Sequence, residues 1–239
     1  MMRTSFVFWK TLSFGLLLIV SPWAQAGDRF QPEKGYTSLF NGKDFTGWRY
    51  GNQKLGAVTK TADGRFTVED GMIVANEGRG IRNLYTLETF PKDFNVKLEF
   101  RAGLKADSGV YVRGPQLQVR DFQRRNEQRQ LKKFQNDDWN ELDITVRGEI
   151  VSTRFNGRKL GEKDMLVVTV EKGQPTAKLN GKSVDVQNVQ ISIDAFAKCL
   201  CNGELLSKAM RVPTNGPIGL QAERGKFEFR RIRIKELGQ

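Results

Sequence analysis

Apolar and polar residues alternate along most of this chain with a period of two. In FNVKLEFRA (94–102), Phe94, Val96, Leu98 and Phe100 fall on one face, and Lys97, Glu99 and Arg101 fall on the other. Successive side chains of a strand point to opposite faces, so such a stretch predicts a strand with one buried side. RFTVEDGMIVA (65–75) repeats the pattern across an Asp70-Gly71 turn. SGVYVRGPQLQVRD (108–121) predicts a hairpin around Gly114-Pro115, with Val110, Val112, Leu117 and Val119 inward. The C-terminal stretch GPIGLQAERGKFEFRRIRIKEL (216–237) predicts two strands. In the second, Phe227 and Phe229 are followed by Ile232 and Ile234, and the extra residue at Arg230-Arg231 predicts a β-bulge.

Turn chemistry agrees with this reading. Asn156-Gly157, Asn180-Gly181 and Asn202-Gly203 supply the positive φ angles of type I′ hairpins. The stretches before them (ITVRGEIVSTRFNG, VTVEKGQPTAKLNG and ISIDAFAKCLCNG) look alike, as neighbouring hairpins do. RRNEQRQLKKF (124–134) lacks an apolar stripe and predicts a surface excursion with a short helix. Many short strands with little helix predict an all-β sandwich of two antiparallel sheets, and the length suits a jelly roll.

The first 26 residues stand apart. Arg3 and Lys10 flank a basic start, TLSFGLLLIV (11–20) is a short apolar run, and Ala24-Gln25-Ala26 is a cleavage pattern. This predicts a signal peptide over 1–26, cut before Gly27, and a periplasmic or secreted protein over 27–239. The apolar run is shorter than the ~20 residues of a transmembrane span. Loss of Arg3 and Lys10 lowers the net charge from +12 to +10. That excess favours an anionic envelope surface or glycan as partner, and no motif points to nucleic acid. The chain has no His, which excludes His-based triads and His metal sites. Any catalyst must use Asp, Glu, Tyr, Lys, Arg or a bound ion. Cys199 and Cys201 lie two apart, too close for an unstrained disulfide, and are read as thiols.

Alternation also says which polar residues share a surface. Tyr111 and Arg113 face away from the core, as do Gln116, Gln118 and Arg120. Gln221 and Glu223 face away with Gly219, and Glu99 lies on the polar side of a further strand. If these strands share a sheet, they form one polar surface suited to a hydroxyl-rich ligand, with Tyr111 able to stack on a sugar ring. Glu141 and Asp143 share a strand face, but Thr145 holds the position where a third carboxylate would complete a glucanase-like set, so an exposed strand face is the better reading. Trp48 and Trp139 are read as core residues.

An ordered set of motifs gives the chain a family resemblance. YTSLFNGKDFTGW (36–48), VEDGMI (68–73), DFNVKLEFR (93–101), DSGVYVRG (107–114), DWNELDITVRG (138–148) and the stretch 216–237 span nearly all of it. Together they resemble the 3-keto-disaccharide hydrolase domain. The resemblance implies a concanavalin A-like jelly roll that binds sugar on its concave side. It also implies a chemistry. A ketone at C3 acidifies the C2 hydrogen, a base removes it, the C1 aglycone leaves by β-elimination, and water adds. Such a reaction needs a base and a group to hold the enolate oxygen, either Arg or a divalent cation such as calcium held by oxygen ligands.

This chain departs from the family pattern at informative places. Where members often have Glu-Val-Gln-x-x-Asp, it has Gln116-Leu117-Gln118-Val119-Arg120-Asp121, so an amide replaces a carboxylate at Gln116. Asp107 stands where Asn is common, and Glu223 stands near where some members carry His. The resemblance thus implies Glu223 or Glu99 as base, with Tyr111, Arg113, Gln116, Gln118, Asp121 and Gln221 contacting substrate. The expected function is an exported hydrolase or lyase acting on 3-keto-glycosides. The alternatives are a non-catalytic carbohydrate-binding module of the same fold and a basic envelope interaction protein.

Overall fold

In the computed structural model the described residues are 30–238, so the predicted signal peptide lies outside them. No helix among them is long and apolar enough to cross a membrane. In chain order the strands are β1 (Thr37–Ser38), β2 (Trp48–Tyr50), β3 (Gln53–Lys54), β4 (Phe66–Glu69), β5 (Met72–Ala75), β6 (Arg82–Thr86), β7 (Phe94–Ala102), β8 (Asp107–Val112), β9 (Gln116–Arg120), β10 (Asn140–Phe155), β11 (Arg158–Lys159), β12 (Leu166–Glu171), β13 (Gln174–Leu179), β14 (Lys182–Val184), β15 (Val189–Cys201), β16 (Glu204–Val212), β17 (Ile218–Ala222) and β18 (Phe227–Glu236).

They form the two antiparallel sheets that the alternation predicts. A nine-stranded sheet runs β16-β15-β10-β7-β18-β5-β4, with β1 and β11 at its margins, and a six-stranded sheet runs β3-β2-β6-β17-β8-β9. The inward faces meet in one apolar core. Phe94, Val96, Leu98 and Phe100 of β7 are at most 1% exposed, and Val110, Ile218 and Leu220 of the opposite sheet are fully buried. Phe227 stacks on Phe100 at 6.0 Å and on Phe229 at 5.8 Å. Each such side chain contributes about 1.5–3 kcal/mol on burial. Trp48 is wholly buried, and its Nε1 donates to the Leu39 carbonyl at 2.9 Å.

The turn signals are realised. Asn156, Asn180 and Asn202 have φ of 48°, 51° and 49°. The β18–β7 register shifts between Arg230 and Arg233, and Arg231 has φ 51°, as expected of the bulge. β10 and β15 run on past the sandwich and carry a separate three-stranded sheet, β12-β13-β14. Ile150, Val167, Val170 and Ile193 are exposed there.

Two expectations are corrected. The 124–134 segment contains no helix and is not a free excursion. Its Leu131 and Phe134 are buried, and Phe134 packs on Phe122 with ring centroids 5.5 Å apart. Three apolar anchors, too irregularly spaced for a stripe, therefore pin an otherwise charged loop. Trp139 is half-buried on the outside of the nine-stranded sheet rather than in the core, with the Arg230 guanidinium 3.8 Å from its ring centroid. Cys199 and Cys201 are free thiols on one face of β15, buried in the core, and burial pushes both up to about 12.

Candidate functional site

Each sheet has an outer face, and the two differ in chemistry. That of the nine-stranded sheet is closed by ion pairs. Glu99 is held by Arg230 at 2.7 Å and Arg231 at 3.1 Å, Asp143 by Lys97 at 3.3 Å, and Glu141 by Arg233 at 2.8 Å. Glu141 and Asp143 are thus an ion-paired strand face, as their spacing suggested.

On the six-stranded sheet, direct cross-strand partners form a row that crosses every strand: Lys54, Arg49, Tyr85, Gly219, Tyr111 and Gln116. Direct partners project from the same face, so these side chains are neighbours. The ring of Tyr85 lies 5.4 Å from that of Tyr111, and the Arg49 guanidinium sits 4.7 Å from the Tyr85 centroid. Burial, reinforced by the neighbouring Tyr111, holds the Tyr85 phenol above its ordinary range, so it stays neutral. A second row carries Asn83 opposite Gln221, and Gly109 opposite Gln118.

Glycine makes this floor possible. A Cβ at Gly219 would stand 2.4 Å from the Tyr85 ring, and one at Gly109 would stand 2.1 Å from Gln116 Nε2. The two side chains therefore lie down over the sheet, where they would otherwise stand off it. Gly219→Ala is expected to displace Tyr85 and weaken ligand binding about 10-fold, checked by titration calorimetry. The size follows from the loss of one stacking contact.

Three polar side chains are chained across the floor. Gln116 Nε2 donates to Gln221 Oε1 at 2.8 Å, and Gln221 Nε2 donates to the Tyr111 hydroxyl at 2.9 Å. Each amide has a second N–H, and the Tyr111 hydrogen has no acceptor among the described residues. The chain therefore ends in donors aimed at whatever lies on the floor. Gln221 is only 2% exposed because Gln116 and Tyr111 cover it.

Beyond this chain the face closes on itself. Asp107 accepts from Gln118, from Arg120 at 2.8 Å, and pairs with Arg125 at 3.2 Å. Glu127 pairs with the same two arginines. Two cavities, about 220 Å³ beside Arg101 and Glu228 and about 280 Å³ over 123–132, are not lined by the tyrosine row.

The structure therefore brings together Tyr111, Gln116, Gln118 and Gln221, and it separates the other candidates. Glu99 lies on the opposite sheet with both oxygens ion-paired. Arg113 does not face outward. At the hairpin turn its φ is +55°, which ends the alternation, and the side chain is 3% exposed. It donates to the carbonyls of Pro213 at 3.2 Å and Lys92 at 2.5 Å and lies over Phe94. Burial lowers its pKa, opposed by Asp93. Asp121 is fully buried beneath β9, where it accepts from the Lys105 amide at 2.7 Å and Arg124 at 2.6 Å. It anchors loops rather than meeting a ligand.

Glu223 follows β17, where pairing with β8 slips by one residue so that Asp107 bridges Arg224. It is half-buried, and its carboxylate has no partner among the described residues. The backbone beneath it is held by Arg65, which is 4% exposed and donates to the carbonyls of Asn76, Arg79, Gly80 and Ala222 at 2.6–3.0 Å, and to that of Glu223 at 3.5 Å. Among the described residues no group of three or more His, Cys, Asp or Glu could hold a metal ion. The face offers calcium no oxygen cage, since Asp107 is committed to two guanidinium groups.

Sequence reasoning passed over Tyr85 and Arg49. Both sit in strands, RNLYT and WRY, that carry no run of apolar residues alternating with polar ones to show a face.

The sequence profile of the 3-keto-alpha-glucoside-1,2-lyase-like domain matches residues 35–235. The chain belongs to that family, a carbohydrate-active one. No curated protein matches the sequence. Among solved structures, two candidate glycosyl hydrolases from Parabacteroides distasonis ATCC 8503 are similar. One is 19% identical, with 88% of this chain and 99% of that one covered and a TM-score of 0.46. The other is 17% identical, with 84% and 99% covered and a TM-score of 0.45. The carbohydrate-binding module CBM66 from Bacillus subtilis is 12% identical, with 80% and 97% covered and a TM-score of 0.34. Likenesses this distant say nothing about activity. Within the 3-keto-alpha-glucoside-1,2-lyase-like family, the departure at Gln116 falls on the floor and that at Glu223 just past the end of β17.

Proposed function

We propose that this protein is an exported lyase or hydrolase that cleaves 3-keto-glycosides on the outer face of the six-stranded sheet. The supporting observation is the Tyr85–Gly219–Tyr111 floor with its amide chain, two neighbouring aromatic rings tilted 48° to each other beside directional donors. Aromatic rings take the apolar face of a sugar, and amides take its hydroxyls.

In the proposed reaction Glu223 accepts the C2 proton of the bound 3-keto sugar. The C2–H electron pair forms a C1–C2 double bond as the aglycone leaves C1 with its bonding pair. Negative charge develops on the C3 oxygen in passing, where the spare N–H of Gln116 and the Tyr111 hydroxyl can donate. Water then adds across the enone. Export to the periplasm or beyond is part of the proposal and rests on the leader pattern of 1–26.

A specific observation favours a second reading, a saccharide-binding module. Gln116 is an amide, and Asp107 is locked by two arginines, so Glu223 alone carries the catalytic case. One experiment separates the two. With a nitrophenyl 3-keto-glucoside, wild-type protein should release nitrophenol, and Tyr111→Ala should raise the KM about 10-fold or more through lost stacking and hydrogen bonding. Tight binding of the same compound without release would establish the module instead.

A further inference from the structure

The row that forms the floor ends in two cations. Lys54 and Arg49 are direct cross-strand partners, and like charges so placed repel. Arg49 donates Nη1 to the Gly51 carbonyl at 2.6 Å and stacks on Tyr85, and neither it nor Lys54 has a carboxylate partner among the described residues. The acids nearby are engaged elsewhere. Asp63 accepts from the Tyr50 hydroxyl at 2.6 Å and pairs with Arg82 at 3.4 Å. At the other end of the face, Asp107 and Glu127 are balanced by Arg120 and Arg125. Positive charge without a carboxylate partner therefore sits at this end of the row, with Arg49 one strand from Tyr85.

From this placement we infer that the saccharide bound on the floor is acidic, with a uronate carboxylate seated between Arg49 and Lys54 while its ring or the next one lies on Tyr85 and Tyr111. The inference rests on the saccharide-site reading above and adds the ligand's charge. The Gly51 carbonyl takes Nη1 and the Tyr85 ring lies 4.7 Å away, which leaves Nε and Nη2 to meet a carboxylate in the two-bond fork geometry. An anion there also relieves the Lys54–Arg49 repulsion, which a neutral sugar does not.

The test is calorimetric titration of the full-length protein with trigalacturonate and with its fully methyl-esterified form, which keeps the sugar frame but caps each carboxylate with a methyl group and removes its charge. Wild type should bind the acid at least 10-fold more tightly, and raising the salt should narrow the gap, since Lys54 is exposed and Arg49 only half-buried. Lys54→Gln should shrink the gap about 3- to 10-fold and leave the ester unchanged. Arg49→Lys, which keeps the charge but loses the fork, should do the same to a smaller degree. Lys54 is exposed at the sheet edge, so its variant should fold. Equal affinity for acid and ester, no binding of the acid, or a gap unmoved by Lys54→Gln overturns the inference. The reading beneath it falls separately, if Tyr111→Ala changes binding of no saccharide, the 3-keto-glucoside included.

Discussion

Glu223→Gln should lower turnover of a 3-keto-glucoside by about 10²- to 10⁴-fold, the range a positioned general base contributes, and should change binding little. The amide keeps the shape of the side chain and removes its basicity. The assignment follows from what the other carboxylates are doing. Glu99 is ion-paired to Arg230 and Arg231 on the far sheet. Asp107 is bound by Arg120 and Arg125, and Asp121 is wholly buried. Glu223, two residues beyond the floor residue Gln221, has no such partner among the described residues. The check is a steady-state assay beside a binding titration. Turnover that survives in the variant would remove Glu223 from the mechanism.

The second large effect concerns stability. Arg65→Met should destabilise the protein by about 3 kcal/mol or more, since each buried carbonyl left without a donor costs about 1–3 kcal/mol. Arg65 serves five carbonyls and has no carboxylate partner among the described residues. It ties the 76–80 loop to the end of β17, so its loss also frees the backbone that carries Glu223. For a domain of this size the midpoint of thermal unfolding should fall by roughly 10 °C. Arg65→Lys should recover only part, since one ammonium cannot reach carbonyls spread over so wide a fork. A midpoint unchanged in the Met variant would show that the clamp contributes nothing.

The sandwich was legible because its signal is repeated. Phe94 to Phe100, Val110 to Val119 and Ile218 to Leu220 each alternate over enough residues to show a face, and the Asn-Gly turns and the Arg230–Arg231 bulge mark where pairing bends. The site was legible in the same strands, which is why Tyr111, Gln116, Gln118 and Gln221 came together. It failed where alternation stops. Arg113 sits in a turn at positive φ, so its parity no longer indicates a face. Asp121 lies one residue past β9 and turns inward to hold a loop. Glu99 has the right parity but the wrong sheet, and nothing in a single strand says which sheet it joins. Tyr85 and Arg49 escaped because their strands, RNLYT and WRY, lack the repeated apolar residues that show a face. Only the register across β2, β6, β17 and β8 reveals them.

The claim on which the rest depends is that saccharide lies on the outer face of the six-stranded sheet. A crystal structure of Glu223→Gln soaked with a 3-keto-glucoside tests it most directly. The account predicts a sugar ring over Tyr85 and Tyr111, hydroxyls on Gln116 and the Tyr111 hydroxyl, and C2 facing residue 223. Ligand on the ion-paired face around Glu99 and Trp139 would contradict it.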